Sequence, residues 1–435
     1  MYDPAGRREF LKAAFALGTV YPLTRPADLF AVDKDRGDSK SPNEKLNIAA
    51  VGVGGRARAD LDGVNSENIV AICDVDGKNL AQAAEAYPKA AQCDDYRRIF
   101  DHKLDAVVVG TPDHTHAFPV CEALRRGLAV YCEKPLTHSI HEARTILDLV
   151  KEHKNVTQMG NQIHSDLHNY RRVVEQIQSG VIGAVRQVHI FMPGVEHFVA
   201  GKKVTDAAPP AWVNYDLWLG PAPYRPFHES HYIFNWRYWW DFGGGQLADF
   251  WCHYADLAYW ALDLQYPTKI KATGEKGHDG DNEVPKSMRV EYDFPARGEK
   301  PAVHLTWSHG ALKEEGDVVL NKANGVLFEG DKGRLWADYG NHQIVMQDGS
   351  EAVPVKPYIE NSIGHHKEFI AAIKTGSPTG SPFSYGAVLT EGGHLGNLSY
   401  RLGKEIEWDA AAMKATNAPE ADQIIKREYR KGWAL

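Results

Sequence analysis

The sequence predicts an α/β chain in two parts: a doubly wound parallel sheet, then an α+β domain with an open, largely antiparallel sheet. Three observations carry this. Short apolar runs alternate with helical stretches through the first part, as the crossovers of a parallel sheet require. The run Gly52-Val53-Gly54-Gly55-Arg56-Ala57 joins one such strand to one such helix. From Met288 to Gln347 the pattern changes to β-rich segments divided by Gly, Pro and Asp turns.

Taken in order, Leu46 to Val51 is the first strand and feeds directly into the glycine run. The G-x-G-x-x-G/A form suits a dinucleotide-binding (Rossmann) turn: Gly52 lets the chain reverse sharply, Gly54 lets backbone approach a pyrophosphate, and Ala57 keeps the helix close to the sheet. Amides around Gly55 and Arg56 then meet the anion at the helix start. The second strand, Ile69 to Cys73, ends in Asp74, 20 residues beyond Gly54, the distance at which a carboxylate bonds the adenine ribose hydroxyls. A carboxylate there repels a ribose phosphate, which selects NAD over NADP; the plainer alternative for Asp74 is a strand-ending cap. Strands at Ala106–Val109 and Ala129–Cys132 flank a helix whose apolar face is Ala117, Val120, Cys121 and Leu124. Thr111-Pro112-Asp113-His114-Thr115-His116 lies just past a strand's carboxyl end, where such sheets bind ligands. Thr111, Pro112, His114 and His116 are therefore expected at the cofactor. The two histidines could equally be surface polar groups or metal ligands, but no carboxylate or third histidine stands at a diagnostic spacing, and no metal is expected.

Glu133-Lys134-Pro135 follows the next strand. A lysine before proline is held extended, with its ammonium aimed into the ligand crevice, where a positive nicotinamide beside it would make it usable as an acid or base. The alternative is an exposed surface lysine. A helix is expected at about Ser139 to Glu152. A second helix runs from about Gln246 to Leu262 behind Gly243-Gly244-Gly245, and Asp249, His253, Asp256 and Trp260 fall on one of its faces. Taken alone, that is an amphipathic core helix with a satisfied histidine. Trp212, Trp218, Tyr224, Tyr232, Trp236, Trp239 and Trp240 crowd together, suiting the C–H faces of sugar rings, and Arg237 offers hydroxyl contacts.

The composition narrows the function. With 435 residues, 43% hydrophobic and 24% charged, the chain can bury two or three domain cores. Against 57 Asp+Glu stand 49 Lys+Arg, a net charge of −8 with no basic block, which argues against a nucleic acid or anionic membrane and for a small neutral or polar ligand. The 5 cysteines form no CxxC pair and no even framework, which argues against a disulfide scaffold or a cysteine zinc site. At the amino terminus, Arg7-Arg8 precedes the mildly apolar Ala13 to Leu23, as in a twin-arginine export signal, so a periplasmic or otherwise exported protein is expected. The stretch falls short of the about 20 residues needed to span a bilayer. An amphipathic helix is the alternative. The expected organisation is a signal segment at 1–32, a linker at 33–45, the dinucleotide domain at 46–165, a substrate domain at 166–405 and a C-terminal extension at 406–435.

GVGGRARAD at 52–60, CDVD at 73–76, TPDHTHAFPV at 111–120, EKP at 133–135 and GGGQLADFWCHYADLAYW at 243–260 together resemble the Gfo/Idh/MocA family of glucose–fructose oxidoreductases and inositol dehydrogenases. The resemblance implies NAD as cofactor and a sugar or glycoside as substrate. It implies catalytic roles for Lys134, Asp249 and His253, a cis bond before Pro135, and cofactor contacts from Glu133 and Asn161. His164, Tyr170 and Arg237 are then expected near the substrate, and the open sheet is expected to form a homo-oligomer. The expected chemistry is hydride transfer, with His253 oriented by Asp249, or Lys134, taking the hydroxyl proton. An exported enzyme meets almost no free NAD, so the cofactor should stay bound. The alternative is an NAD-dependent glycosidase working by transient C3 oxidation and elimination, with Tyr170, His164 or Tyr232 as the extra base; the EKP motif favours the oxidoreductase.

Overall fold

The structure is a computed structural model that describes residues 44–166, 168–195, 203–204, 207–310 and 322–435. The expected export segment, and all of the linker but Glu44 and Lys45, lie outside the described residues.

The first domain is a six-stranded parallel sheet of β1 (Asn47–Val51), β2 (Asn68–Cys73), β3 (Ala91–Cys93), β4 (Ala106–Val109), β5 (Ala129–Cys132) and β6 (Thr157–Met159). Its order is β3-β2-β1-β4-β5-β6, every pairing parallel. The order reverses between β1 and β4, and the crevice beyond their carboxyl ends is where a doubly wound sheet takes its ligand. Helices cover both faces, so β1 is apolar and buried beyond Asn47: Ala49 and Val51 enter one core and Ile48 and Ala50 the other.

The second sheet has nine strands, β7 (Val185–Met192), β8 (Lys269–Glu275), β9 (Ser287–Phe294), β10 (Val303–His309), β11 (Gly325–Gly330), β12 (Gly333–Ala337), β13 (His342–Met346), β14 (Ile406–Asp409) and β15 (Lys414–Ala415). They run in the order β13-β12-β11-β7-β10-β9-β8-β14-β15. Only β7 and β10 pair in parallel, so the expected largely antiparallel sheet is found. Val290, Tyr292, Leu305, Trp307, Val326 and Phe328 point from it into one core with Trp251 and Tyr259 of the Gly245–Leu262 helix and Leu395 and Leu398 of the Phe383–Leu402 helix. The Gly245–Leu262 helix thus lies between the sheet and the crevice, which presents Asp249 and His253 to the first domain. The chain's last residues fold back onto that domain, where Arg427 donates to Oε1 of Glu142 at 2.8 Å and to the carbonyl of His114 at 2.7 Å. Among the described residues no helix is long and apolar enough to cross a membrane.

Candidate active site

Lys134 and Asp249 meet across the two domains. The Lys134 ammonium donates to Oδ1 of Asp249 at 2.7 Å and to its backbone carbonyl at 2.8 Å. The Lys134–Pro135 bond is cis. Nε of Arg237 lies 3.4 Å from the same Oδ1. Burial alone would raise the Asp249 carboxyl, but Lys134 and Arg237 outweigh it and hold the group well below the usual carboxylate range. Asp249 therefore orients Lys134, not His253 as the sequence suggested: the ring of His253, one turn along the helix, has no hydrogen-bond partner to Asp249 and its Nδ1 has none at all. Burial, reinforced by the Lys134 charge, pushes the His253 imidazole down to about 3, so it is neutral at physiological pH.

No sequence signal separates Asp113 from its neighbours in the TPDHTH run. It is 6% exposed and lies in the field of Arg237, Asp249 and Lys134. Burial pushes its carboxyl up to about 8, with Arg237 opposing the rise and Asp249 adding to it. A folded-state value above the unfolded one means the folded protein binds the extra proton between about pH 4 and 8, so stability falls as pH rises through that window. Asp113→Asn is accordingly expected to raise the melting temperature, with a gain that grows towards pH 8 by at most about 1.4 kcal/mol per pH unit. Thermal scans from pH 5 to 8 check this; a gain independent of pH refutes it.

The crevice fits a dinucleotide. Gly52 has φ 81°, and a Cβ there would stand 2.9 Å from the backbone of Gly110 and Thr111, so only glycine turns the chain so close to β4. The helix Gly55–Gly63 that follows has no side-chain cap and no acidic residue in its first turn, leaving its leading amides for a pyrophosphate. At the end of β2, the two oxygens of Asp74 accept from the N–H groups of Val53 at 2.9 Å and Asp76 at 2.8 Å, which caps the strand and fixes the carboxylate beside the glycine turn. Three further buried polar groups lack partners within the protein: Oγ1 of Thr111 and both ends of the Asn161 amide. Such orphans are expected where a bound ligand completes the hydrogen bonding.

Other expected contacts are committed elsewhere. Nε2 of His114 bonds the carbonyl of Trp218 at 2.9 Å in an aromatic cluster, and the ring is wholly buried. His116 has its ring nitrogens 2.9 Å from the Pro135 carbonyl and 2.7 Å from that of Thr111, so it braces the loop carrying Lys134. Pro112 shapes that turn. Arg56 ties Asp60 at 2.9 Å and Glu133 at 3.2 Å, holding the glycine-turn helix to the EKP loop. Nδ1 of His164 sits 2.9 Å from Asp256 and its ring stacks on Trp260 at 3.9 Å between centroids. Tyr170 is fully buried and donates to the backbone carbonyl of His253 at 2.8 Å, while burial pushes its hydroxyl well above the ordinary tyrosine value. Missed entirely was Tyr339, after β12, whose ring lies 6.1 Å from that of His253. Asp60, His365 and His366 bring ligand atoms within 4.8 Å of one another; Arg56 and His366 both meet Oδ1 of Asp60, and its Oδ2 is buried without a partner.

Fold and site together define a two-domain chain whose first domain is of the dinucleotide-binding class. Residues 46–161 match the model for the oxidoreductase family's NAD-binding Rossmann fold, and residues 168–435 that for its C-terminal alpha/beta domain. The chain belongs to the Gfo/Idh/MocA oxidoreductase family. It is 31% identical over 159 residues to an inositol 2-dehydrogenase of Rubrobacter xylanophilus, covering 34% of this chain and 43% of that one. It is 30% identical over 162 residues to a 2,7-anhydro-N-acetylneuraminate hydratase of Mediterraneibacter gnavus, covering 35% and 40%. The matches thus span less than half the length of both relatives. Among solved structures, the WlbA dehydrogenase of Bordetella pertussis, in complex with NADH and UDP-GlcNAcA, aligns with a TM-score of 0.61 at 15% identity, over 84% of this chain and 99% of that one. The aldose–aldose oxidoreductase of Caulobacter crescentus aligns with a TM-score of 0.57 at 17% identity, over 84% and 100%. These two share the fold.

Proposed function

We propose that this chain is an exported oxidoreductase that keeps NAD bound and acts on a hydroxyl of a sugar or glycoside, as a homo-oligomer joined through the second sheet. The observation that carries the catalytic reading is the Lys134–Asp249 pair set beside a neutral His253 at the crevice of an NAD-binding domain. The arginine pair at Arg7-Arg8 supports export. Bound NAD would supply the acceptor for the hydrogen of a carbinol carbon. Gly52, Gly54, Gly55, Asp74, Thr111 and Asn161 would hold it.

The residues divide the proton work. Neutral His253 can accept the hydroxyl proton at a ring nitrogen, which an imidazolium could not. Its low affinity for that proton makes it a weak base, so negative charge must be stabilised on the substrate oxygen as it forms. Lys134, fixed by Asp249, supplies that positive charge in a partly buried site where water screens little. The three candidate bases for the elimination route weigh against it: Tyr170 is committed to the His253 carbonyl, His164 to Asp256, and Tyr232 donates to Asp76 at 3.1 Å. The hydratase relative keeps elimination as a second reading.

The test is to purify the protein, identify any co-purified nucleotide, and incubate it with free sugars and with aryl glycosides. A cofactor absorbance change without phenol release is expected. Phenol release without an added acceptor, with solvent deuterium at C2, would establish elimination instead. Cell fractionation tests export, and light scattering the oligomer.

A further inference from the structure

One stretch of the second domain is fastened across the first. Val213 forms an antiparallel bridge with Asp76. The N–H of Gly77 donates to the Trp212 carbonyl at 2.7 Å and that of Asn214 to the Val75 carbonyl at 2.9 Å. Nδ2 of Asn214 donates to Oδ2 of Asp94 at 2.9 Å, and the Tyr232 hydroxyl to Oδ2 of Asp76 at 3.1 Å. The Lys78 ammonium sits 3.4 Å from the centroid of the Trp212 ring. A turn further on, the Trp218 carbonyl takes the ring nitrogen of His114 at 2.9 Å. Trp212 to Gly220 therefore touches the loops that follow β2, β3 and β4 in turn.

Those loops frame the place of the adenosine half of a dinucleotide, whose ribose meets Asp74 at the end of β2 and whose pyrophosphate meets the Gly52–Gly55 turn. The stretch is held from behind as well. Nε of Arg430 donates to the Gly220 carbonyl at 2.9 Å, its backbone N–H donates to the Pro221 carbonyl at 3.0 Å, and its guanidinium pairs with Asp216. Val213, Trp218 and Leu219 are buried with Tyr232, Trp236 and Phe242 in one apolar cluster, so the stretch moves as a block or stays put.

We propose that Trp212 to Gly220, fastened by Asn214, Tyr232 and Arg430, is a clasp contributed by the second domain to the adenosine site, and that the dinucleotide leaves only when this clasp lifts. The proposal rests on the NAD reading above and supplies what that reading needs, a physical cause of retention. It also gives a task to His114, whose ring anchors the clasp instead of facing the cofactor.

The experiment uses the full chain carrying its cofactor. Nucleotide per chain is measured after gel filtration, and release is followed by exchange against excess isotope-labelled NAD, for wild type and for Asn214→Ala, Arg430→Ala and Tyr232→Phe. The expected result is a wild type that keeps NAD through filtration, and variants that release it about tenfold faster or more, what one lost hydrogen bond is worth, yet still rebind added NAD. Cooperative melting shows that each variant is folded; if Asn214→Ala is not, Tyr232→Phe, which removes one hydroxyl, carries the test. Folded variants with wild-type release rates overturn the clasp, as does a wild type that binds NAD but exchanges it within seconds. A wild type that binds no NAD at millimolar concentration overturns the NAD reading itself, and the clasp with it.

Discussion

Lys134→Met is expected to lower turnover by about 10²- to 10⁴-fold while leaving bound nucleotide in place, the range removed with a positioned acid–base or charge-stabilising group. Methionine keeps the length of the lysine stem, so packing against Asp249 survives and the charge alone is lost. The loss has two parts. The substrate oxygen no longer meets a positive charge as its proton departs to His253. Asp249, 15% exposed, is left with Arg237 at 3.4 Å as its remaining charge partner, and a poorly paired buried charge is costly. Lys134→Arg restores the charge but not the compact head, and should recover folding more fully than rate. His253→Ala separates the roles: if His253 is the proton acceptor, its loss should steepen the dependence of rate on pH, because solvent hydroxide must then serve as the base. Steady-state and single-turnover rates from pH 5 to 9 check both variants. Near-normal turnover in both would remove the proposed site.

The parallel core was legible because strands buried on both faces must be apolar throughout: β4 reads Ala-Val-Val-Val and β5 Ala-Val-Tyr-Cys, every residue buried. β3 and β6, three residues each and polar at the centre, carry no such pattern and were not foreseen. Strands β9 to β13 were legible from their turns. β7 was not, since its partners β10 and β11 lie more than a hundred residues away in the chain and nothing local to it marks the pairing.

The site was legible in the same uneven way. The helical spacing of Asp249 and His253 puts both on one face, but spacing along one helix says nothing of what crosses from the other domain. The Lys134 bond to Asp249 could not be read from it, nor could the clasp contacts of Asn214 and Tyr232. The histidines show the limit most clearly. His114, His116 and His164 all lie in loops or short helices near the crevice, yet burial turns them into braces: Nε2 of His114 is matched to Trp218, both nitrogens of His116 to Pro135 and Thr111, and Nδ1 of His164 to Asp256. Nδ1 of His253, like Nδ1 of His114, is buried without a partner.

Gly52→Ala should be the most damaging single change to the cofactor site. The added methyl group would stand 2.9 Å from the Gly110 carbon and oxygen and the Thr111 nitrogen, all backbone atoms that cannot rotate away, at φ 81°. Holding an alanine there costs about 1–3 kcal/mol in backbone strain before the clash is counted. The alternative is for the turn to open, moving β1 off β4 and disturbing the leading amides of the Gly55–Gly63 helix. Either way the effect falls on two measurable quantities together: the melting temperature drops by several degrees, and nucleotide is lost from the purified protein. Gly127→Ala is the matched control, since Gly127 also has positive φ, 73°, but nothing lies within 4 Å of its added Cβ. It should lower stability by about 1 kcal/mol and leave the nucleotide bound. Equal nucleotide loss from both variants would mean that general destabilisation, not the shape of the turn, governs cofactor binding.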